Sequence, residues 1–179
     1  MNKTTLIIIG ALAVAIVLIF VGARLGSGIS APAGGHGAAL RTFESDDNKA
    51  PDFTLETIDG EKITLSDYQG ARPVVLDFFA TWCPNCQRDM PRLSGLYEKY
   101  KDDVEVIGVN LQESPAKVRS FRDSRNIAFP IVLDPAQQAT RKYGVRYTNF
   151  HVLIDTEGKI VGTVPGDISE SHILSLINS

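Results

Sequence analysis

The strongest constraint on this chain is where its two cysteines stand. Cys83 and Cys86 are the only ones, with two residues between them. They fall where a continuous apolar run, Pro73–Phe79, gives way to a helical pattern over 84–101. A short run that is apolar at nearly every position reads as a strand buried on both faces. The next segment repeats Met90, Leu93, Leu96, Tyr97 and Tyr100 at spacings of three and four, which makes one apolar stripe of a helix. Pro91 inside it predicts a kink. A disulfide framework needs more cysteines, more widely spaced. A structural zinc site needs four ligands, and a second Cys pair is missing. The remaining reading is two thiols that react with each other, with half a zinc site or chance spacing as the competitors.

That location has chemical consequences. The first turn of a helix presents unpaired N–H groups and a partial positive charge. A thiolate there is stabilised, and its pKa falls. Cys83 is expected at the exposed edge of the turn, with Cys86 one turn further in and more buried. Cys83 would then attack a substrate disulfide and Cys86 would resolve the mixed disulfide. Trp82 is expected to shield Cys83 and line a substrate groove, or simply to pack. Pro84 and Asn85 are expected to set the geometry of the helix start.

The rest of the chain divides in three. Leu6–Ala23 is an almost wholly apolar run of roughly 18 residues, about the minimum for a membrane-spanning helix. It is longer than the ~7–15-residue apolar core of a secretory signal. Residues 1–24 therefore read as a transmembrane anchor, with a signal peptide as the alternative. Residues 25–49, rich in Gly, Ala and Ser and then polar, read as a flexible linker. His36 lies among its glycines and reads as solvated. Residues 50–179 alternate strand and helix patterns. Phe53–Thr57 and Lys62–Leu65 flank Ile58-Asp59-Gly60, a hairpin signal. Further strands are expected at Val104–Val109, Ile131–Leu133, Val152–Asp155 and Lys159–Thr163, the last two as a hairpin around Thr156-Glu157-Gly158. Further helices are expected from Ser114-Pro115, from Asp134-Pro135 to about Tyr143, and over Ser169–Asn178. In that last helix Ile173, Leu174 and Ile177 share a face, and Asp167 with Glu170 is spaced as a capping box. Helices between buried strands imply an α/β fold with a mainly parallel central sheet covered on both faces. The formal net charge of −3 provides no basic field for nucleic acid. Lys117, Arg119, Arg122 and Arg125 make the second helix basic, which reads as a solvated face rather than a docking patch.

Asp77 lies inside the apolar run. A carboxyl there is desolvated, and its pKa rises. Near Cys86 it would take up or return that thiol's proton; turned to solvent, it would be structural. His151 stands in another apolar stretch. It reads as a core histidine with a hydrogen-bond partner or one facing solvent. The alternative places it near Asp77 and Cys86, perturbing both or joining the thiols on a metal.

From about Ala50 onward the chain resembles the TlpA/ResA group of the thioredoxin superfamily, anchored extracytoplasmic oxidoreductases. The likeness rests on Ala50-Pro51-Asp52-Phe53-Thr54-Leu55, Leu65-Ser66-Asp67-Tyr68-Gln69-Gly70, Val75–Cys83, Gly108-Val109-Asn110, Phe129-Pro130, Tyr143-Gly144-Val145 and Leu153-Ile154-Asp155. It implies a thioredoxin-like fold with a central mixed sheet, helices on both faces, an N-terminal β-hairpin extension and a central helix-and-strand insertion near 113–134. It implies Cys83 as nucleophile and Cys86 as resolving thiol. It also puts Asp77 where thioredoxin carries its proton-handling aspartate. Cofactors beyond a redox-active Cys83–Cys86 disulfide, and bound metals, are not implied. The implied partners are thiol or disulfide proteins and a membrane electron donor. One position departs: the group's cis-proline is replaced by Asn149. A cis bond before a non-proline residue costs about 2.5–4 kcal/mol, so a trans peptide or a remodelled loop is expected there. Thr148 and Asn149 are the expected substrate-facing residues.

These readings converge on a membrane-tethered thiol–disulfide oxidoreductase, with the resemblance favouring a reductase that serves apocytochrome c or another secreted thiol protein. A thiol peroxidase of the same fold is one alternative, although Thr81 stands two residues before Cys83 where peroxiredoxins place Thr three before. A copper-delivery module is another, although such modules use a longer Cys spacing.

Overall fold

The computed structural model describes residues 48–179. The expected anchor over 1–24 and nearly all of the linker over 25–49, His36 included, lie outside the described residues. Among the described residues no helix is long and apolar enough to cross a membrane.

The strand expected before the cysteines is β3 (Val74–Phe79), buried along its whole length. It sits at the centre of a five-stranded sheet. On one side it pairs in parallel with β4 (Glu105–Leu111), which pairs in parallel with β5 (Ile131–Asp134). On the other side it pairs antiparallel with β6 (Phe150–Ile154), and β6 with β7 (Ile160–Pro165). The order is thus β5-β4-β3-β6-β7. The sheet is mixed, as the resemblance implied, rather than mainly parallel: the tight turn around Glu157 returns β7 directly against β6, so no crossover helix intervenes. A separate hairpin, β1 (Thr54–Glu56) with β2 (Lys62–Thr64), precedes it.

Strand alternation sorts the core into two layers. Val75 and Phe79 face a cluster containing Cys83, Cys86, Met90, Leu93, Val118, Phe121, Ile173 and Leu176. These come from α1 (Pro84–Tyr100), α2 (Pro115–Arg125) and α4 (Glu170–Ile177). Val74, Leu76 and Phe78 face the hairpin through Phe53, Leu55 and Leu65, and the short α3 (Gln138–Lys142) through Ala139. The central helix and strand expected near 113–134 are α2 and β5. Pro91 lies within α1.

Two helix boundaries differ from expectation for local reasons. The Asp134 carboxylate accepts from the Thr140 amide (2.8 Å) and hydroxyl (2.7 Å), and Gln137 is left-handed at φ 54°. Helical geometry therefore begins at Gln138 rather than Pro135. At α4 the cap is Ser169, whose N–H donates to His172 Nδ1 at 3.0 Å. Asp167 and Glu170 do not form the capping box: they accept hydrogen bonds from Arg88 and from Lys99 and Tyr100 on α1. The buried face of α4 carries Ile173 and Leu176, while Leu174 points outward.

The basic residues of α2 are used within the fold. Arg122 pairs with Asp59 of the hairpin turn (2.6 Å), and Arg119 donates to the Ile58 carbonyl. Arg125 donates to the Gln87 carbonyl on α1 at 3.0 Å.

Candidate active site

The two sulfurs sit where the main chain turns from β3 into α1. Cys83 is the N-cap of α1, with Pro84 as first helical residue, a position where proline's missing N–H costs nothing. Cys83 Sγ accepts from the Cys86 amide at 3.3 Å, in the manner of a capping oxygen. Both cysteines are free thiols. Cys83 is less open than expected, at 5% exposure against 0% for Cys86, and Thr148 lies against its sulfur. The order of accessibility is as expected. Trp82 is 64% exposed, Pro84 and Asn85 are exposed, and Asn85 Oδ1 accepts from Arg88 at 3.3 Å.

The environment separates the two thiols electrostatically. Burial alone would raise the Cys83 pKa. Hydrogen bonds from the Cys86 thiol, the Thr148 hydroxyl and the amides of Cys86 and Asn85 outweigh it and hold Cys83 below the ordinary thiol value. Burial, then donation of its S–H to Cys83, pushes Cys86 far up, with the Asp77 charge adding to it. Of the two, Cys83 is the more readily ionised, and Cys86 holds its proton more tightly.

Asp77 is fully buried on the sheet face that carries Cys86, and burial pushes its carboxyl well above the usual range, followed by the charges of Asp89 and Cys83. His151 lies directly across from it in the β3–β6 register. Its Nε2 is 3.3 Å from Asp77 Oδ1 and 3.6 Å from Asp89 Oδ2, without hydrogen-bond alignment to either. His151 is a core histidine with a hydrogen-bond partner, its Nδ1 3.3 Å from the Val164 carbonyl oxygen, and it also lies beside Asp77. Among the described residues no group of three His, Cys, Asp or Glu is placed to hold a metal ion.

Thr148 reaches Cys83, and Asn149 is packed beneath the same loop. The chain contains no cis peptide among the described residues, and Asn149 instead adopts φ 61°. Its N–H donates to the Phe78 carbonyl (2.9 Å), its carbonyl accepts from Gly166 N–H (2.9 Å), and its amide donates to Asp167 (3.1 Å). Asp167 in turn takes Arg88 at 2.8 and 2.9 Å. This clamp replaces the rigidity a proline ring supplies, since Asn tolerates the left-handed region that most residues avoid.

Four contributors were not anticipated. Asp89 could have been found, because Cys86, Asp89, Met90 and Leu93 follow the i, i+3, i+4, i+7 spacing of one buried face, and all four are buried. Tyr147, 53% exposed beside Thr148, matches Trp82 beside Cys83. Glu113 and Gln87 hold the loop before the cysteines: Glu113 accepts from the Thr81 amide (2.6 Å) and hydroxyl (2.7 Å) and from Asn110 (2.9 Å), and Gln87 donates to the Thr81 carbonyl (2.8 Å). Thr81 is thus committed to Glu113, and it is Thr148 that touches the Cys83 sulfur, which argues against a peroxiredoxin-type threonine.

The chain is similar to several known proteins. The AhpC/TSA family model matches residues 47–163. The thiol-disulfide oxidoreductase ResA of Bacillus subtilis is 38% identical over 135 residues, covering 75% of this chain and 75% of that protein. Among solved structures, the exposed lipoprotein thioredoxin Etrx1 of Streptococcus pneumoniae is 31% identical with a TM-score of 0.64, covering 72% of this chain and 98% of that one. StoA of Bacillus subtilis is 26% identical with a TM-score of 0.63, covering 72% and 98%.

Proposed function

Because the chain belongs to the AhpC/TSA family and, within it, to the ResA-like thiol-disulfide oxidoreductases, we propose that Cys83 and Cys86 are its reacting pair and that it works as a reductase of protein disulfides. In this cycle the Cys83 thiolate attacks a substrate disulfide, and one substrate thiolate leaves. Asp77 accepts the Cys86 proton, Cys86 attacks the Cys83 sulfur, the Cys83–Cys86 bond forms and the second substrate thiol is released. Two protein thiols are oxidised and one substrate disulfide is reduced. No cofactor beyond this dithiol takes part.

The observation that carries the reading is the Cys83 sulfur at the N-cap of α1, 3.3 Å from the Cys86 amide, with Thr148 donating to it. Trp82 and Tyr147, each one residue from a member of that contact, form the apolar border of the substrate surface. Thr148 is its floor; Asn149, expected to face the substrate, is buried beneath it and holds the loop, and Pro84 and Asn85 set the start of the helix.

Residues 1–24 are a membrane anchor in this proposal, residues 25–49 a linker, and residues 50–179 the catalytic domain. The domain works outside the cytoplasm, is recharged by a membrane electron donor and serves apocytochrome c or another secreted thiol protein. The apolar length of Leu6–Ala23 and the family of the domain support this placement. Equilibration with glutathione redox buffers is expected to give a potential nearer the about −270 mV of thioredoxin than the about −120 mV of a strong oxidant.

Trapping tests the assignment. Cys86→Ser should accumulate mixed disulfides with native partners, and Cys83→Ser should not. Equal trapping by both variants would overturn the roles given to the two sulfurs.

A further inference from the structure

His151 occupies a position that an ordinary core residue does not need. It is fully buried, as are Asp77 and, within 1%, Asp89. Its ring stands between the two carboxyl groups, which come from different elements, Asp77 from β3 and Asp89 from α1. Neither Asp77 oxygen has a hydrogen-bond partner among the described residues. Such a cluster is costly unless a proton neutralises it.

The ring's tautomer follows from its other side. Nδ1 lies 3.3 Å from the Val164 carbonyl oxygen, which can only accept, so Nδ1 carries a hydrogen. In the neutral ring Nε2 is then a bare acceptor that faces two carboxyl groups. A carboxylate cannot donate to it. The arrangement is satisfied only when one carboxyl is protonated or when the ring itself takes the proton. Nε2 stands 3.3 Å from Asp77 and 3.6 Å from Asp89, so a small reorientation of the ring or the carboxyl groups would bring it into hydrogen-bond contact with each in turn.

We propose that His151 relays the Cys86 proton from Asp77 to Asp89, moving it away from the buried thiol. It rests on the reading that Cys86 resolves the mixed disulfide. Cys86 gives its proton to Asp77, and Asp77 passes one through Nε2 to Asp89. Asp89 is paired with Arg92, whose charge compensates the carboxylate before the proton arrives; the proton then rests on Asp89. No bond other than O–H, N–H and S–H changes in the relay. His151 acts through Asp77 and is a positioning residue; it does not touch the sulfurs. The ionisable groups facing the ring are Asp77 from β3, Asp89 from α1, Asp167 from the β7–α4 loop and His172 from α4. Burial, the largest influence, holds the ring neutral down to about pH 4, as a relay that is empty between transfers requires.

A chromogenic aryl disulfide separates the steps in the reduced full chain. Attack by Cys83 releases one aryl thiolate, and attack by Cys86 releases a second. In His151→Gln the first release should be unchanged within about twofold. The second should slow about tenfold, less than the ~10²–10⁴ that direct acid–base catalysis contributes, and its pH profile should lose the inflection due to the relay. Asp89→Asn, which alters no volume, should do the same if His151→Gln does not fold. A second release with unchanged rate and pH profile in both variants would overturn the relay, as would slowing of both releases together. A parent protein that gives no second release would contradict the role of Cys86 itself, a distinguishable result.

Discussion

Asp77 and His151 are cross-strand partners on neighbouring antiparallel strands, their side chains 3.3 Å apart at Nε2 and Oδ1, with neither exposed to solvent. A directly opposed pair on one sheet face is a fixed geometry. The strand that leads into the cysteines thus holds the Asp77 carboxyl in a fixed place on the sheet.

Asp77 should reduce stability where it is ionised. Burial, then the charges of Asp89 and Cys83, raises its pKa. The folded protein therefore binds a proton that the unfolded chain releases above about pH 3.9. That stabilisation is complete below this pH and is lost as pH rises through the folded value. Asp77→Asn should be more stable than the parent at neutral pH, with the gain shrinking toward about pH 4 while disulfide exchange falls. Thermal melts across this range check it. A gain that does not vary with pH contradicts the cause given.

The Thr148 hydroxyl should contribute directly to the reactivity of Cys83. A hydrogen bond to a charged acceptor is worth about 1.5–3 kcal/mol. Thr148→Ala should lower the thiolate fraction near neutrality about tenfold, seen as slower alkylation of Cys83 with folding intact. Alkylation at the parent rate would remove Thr148 from the site.

Asn149 should accept glycine and reject proline. Glycine adopts φ 61° freely, so Asn149→Gly should cost about 1 kcal/mol, the bond to Asp167. Proline locks φ near −65° and removes the N–H that donates to Phe78, so Asn149→Pro should cost about 3 kcal/mol or more. Denaturant midpoints of the two variants decide, and a Pro variant as stable as the Gly variant would contradict this account of the loop.

Glu113 should matter more than its place in a connecting loop suggests. Glu113→Ala leaves the Thr81 amide and hydroxyl and the Asn110 amide without their acceptor, at about 1–3 kcal/mol for each buried group. A loss of about 3 kcal/mol and slower exchange are expected in denaturation and turnover assays.

The fold and the cysteine pair were legible because their signals are local. An apolar run, a helical stripe and a proline at the helix start place Cys83 and Cys86 without knowledge of distant contacts. The apolar neighbours of Asp77 foretold its burial. What was illegible depends on pairing between remote segments. His151 stood only as an alternative neighbour of Asp77 until the β3–β6 register brought them together, and Glu113 reaches Thr81 only because β3 and β4 run in parallel. Asp89 lay in between: its helical spacing from Cys86 marked a buried face, but the apolar stripe drew notice away from the carboxylate within it. The capping of α4 was misassigned because Asp167 and Glu170 are drawn to cations on α1, a tertiary attraction that overrides a local motif.

The most direct test is the pH dependence of alkylation of each cysteine in the reduced protein, with the modified peptides resolved by mass. Cys83 should react with a midpoint below the about 8.5 of a free thiol, while Cys86 stays unmodified across the same range. A Cys83 midpoint at or above that value, or modification of Cys86 first, would contradict the division of labour between the two sulfurs.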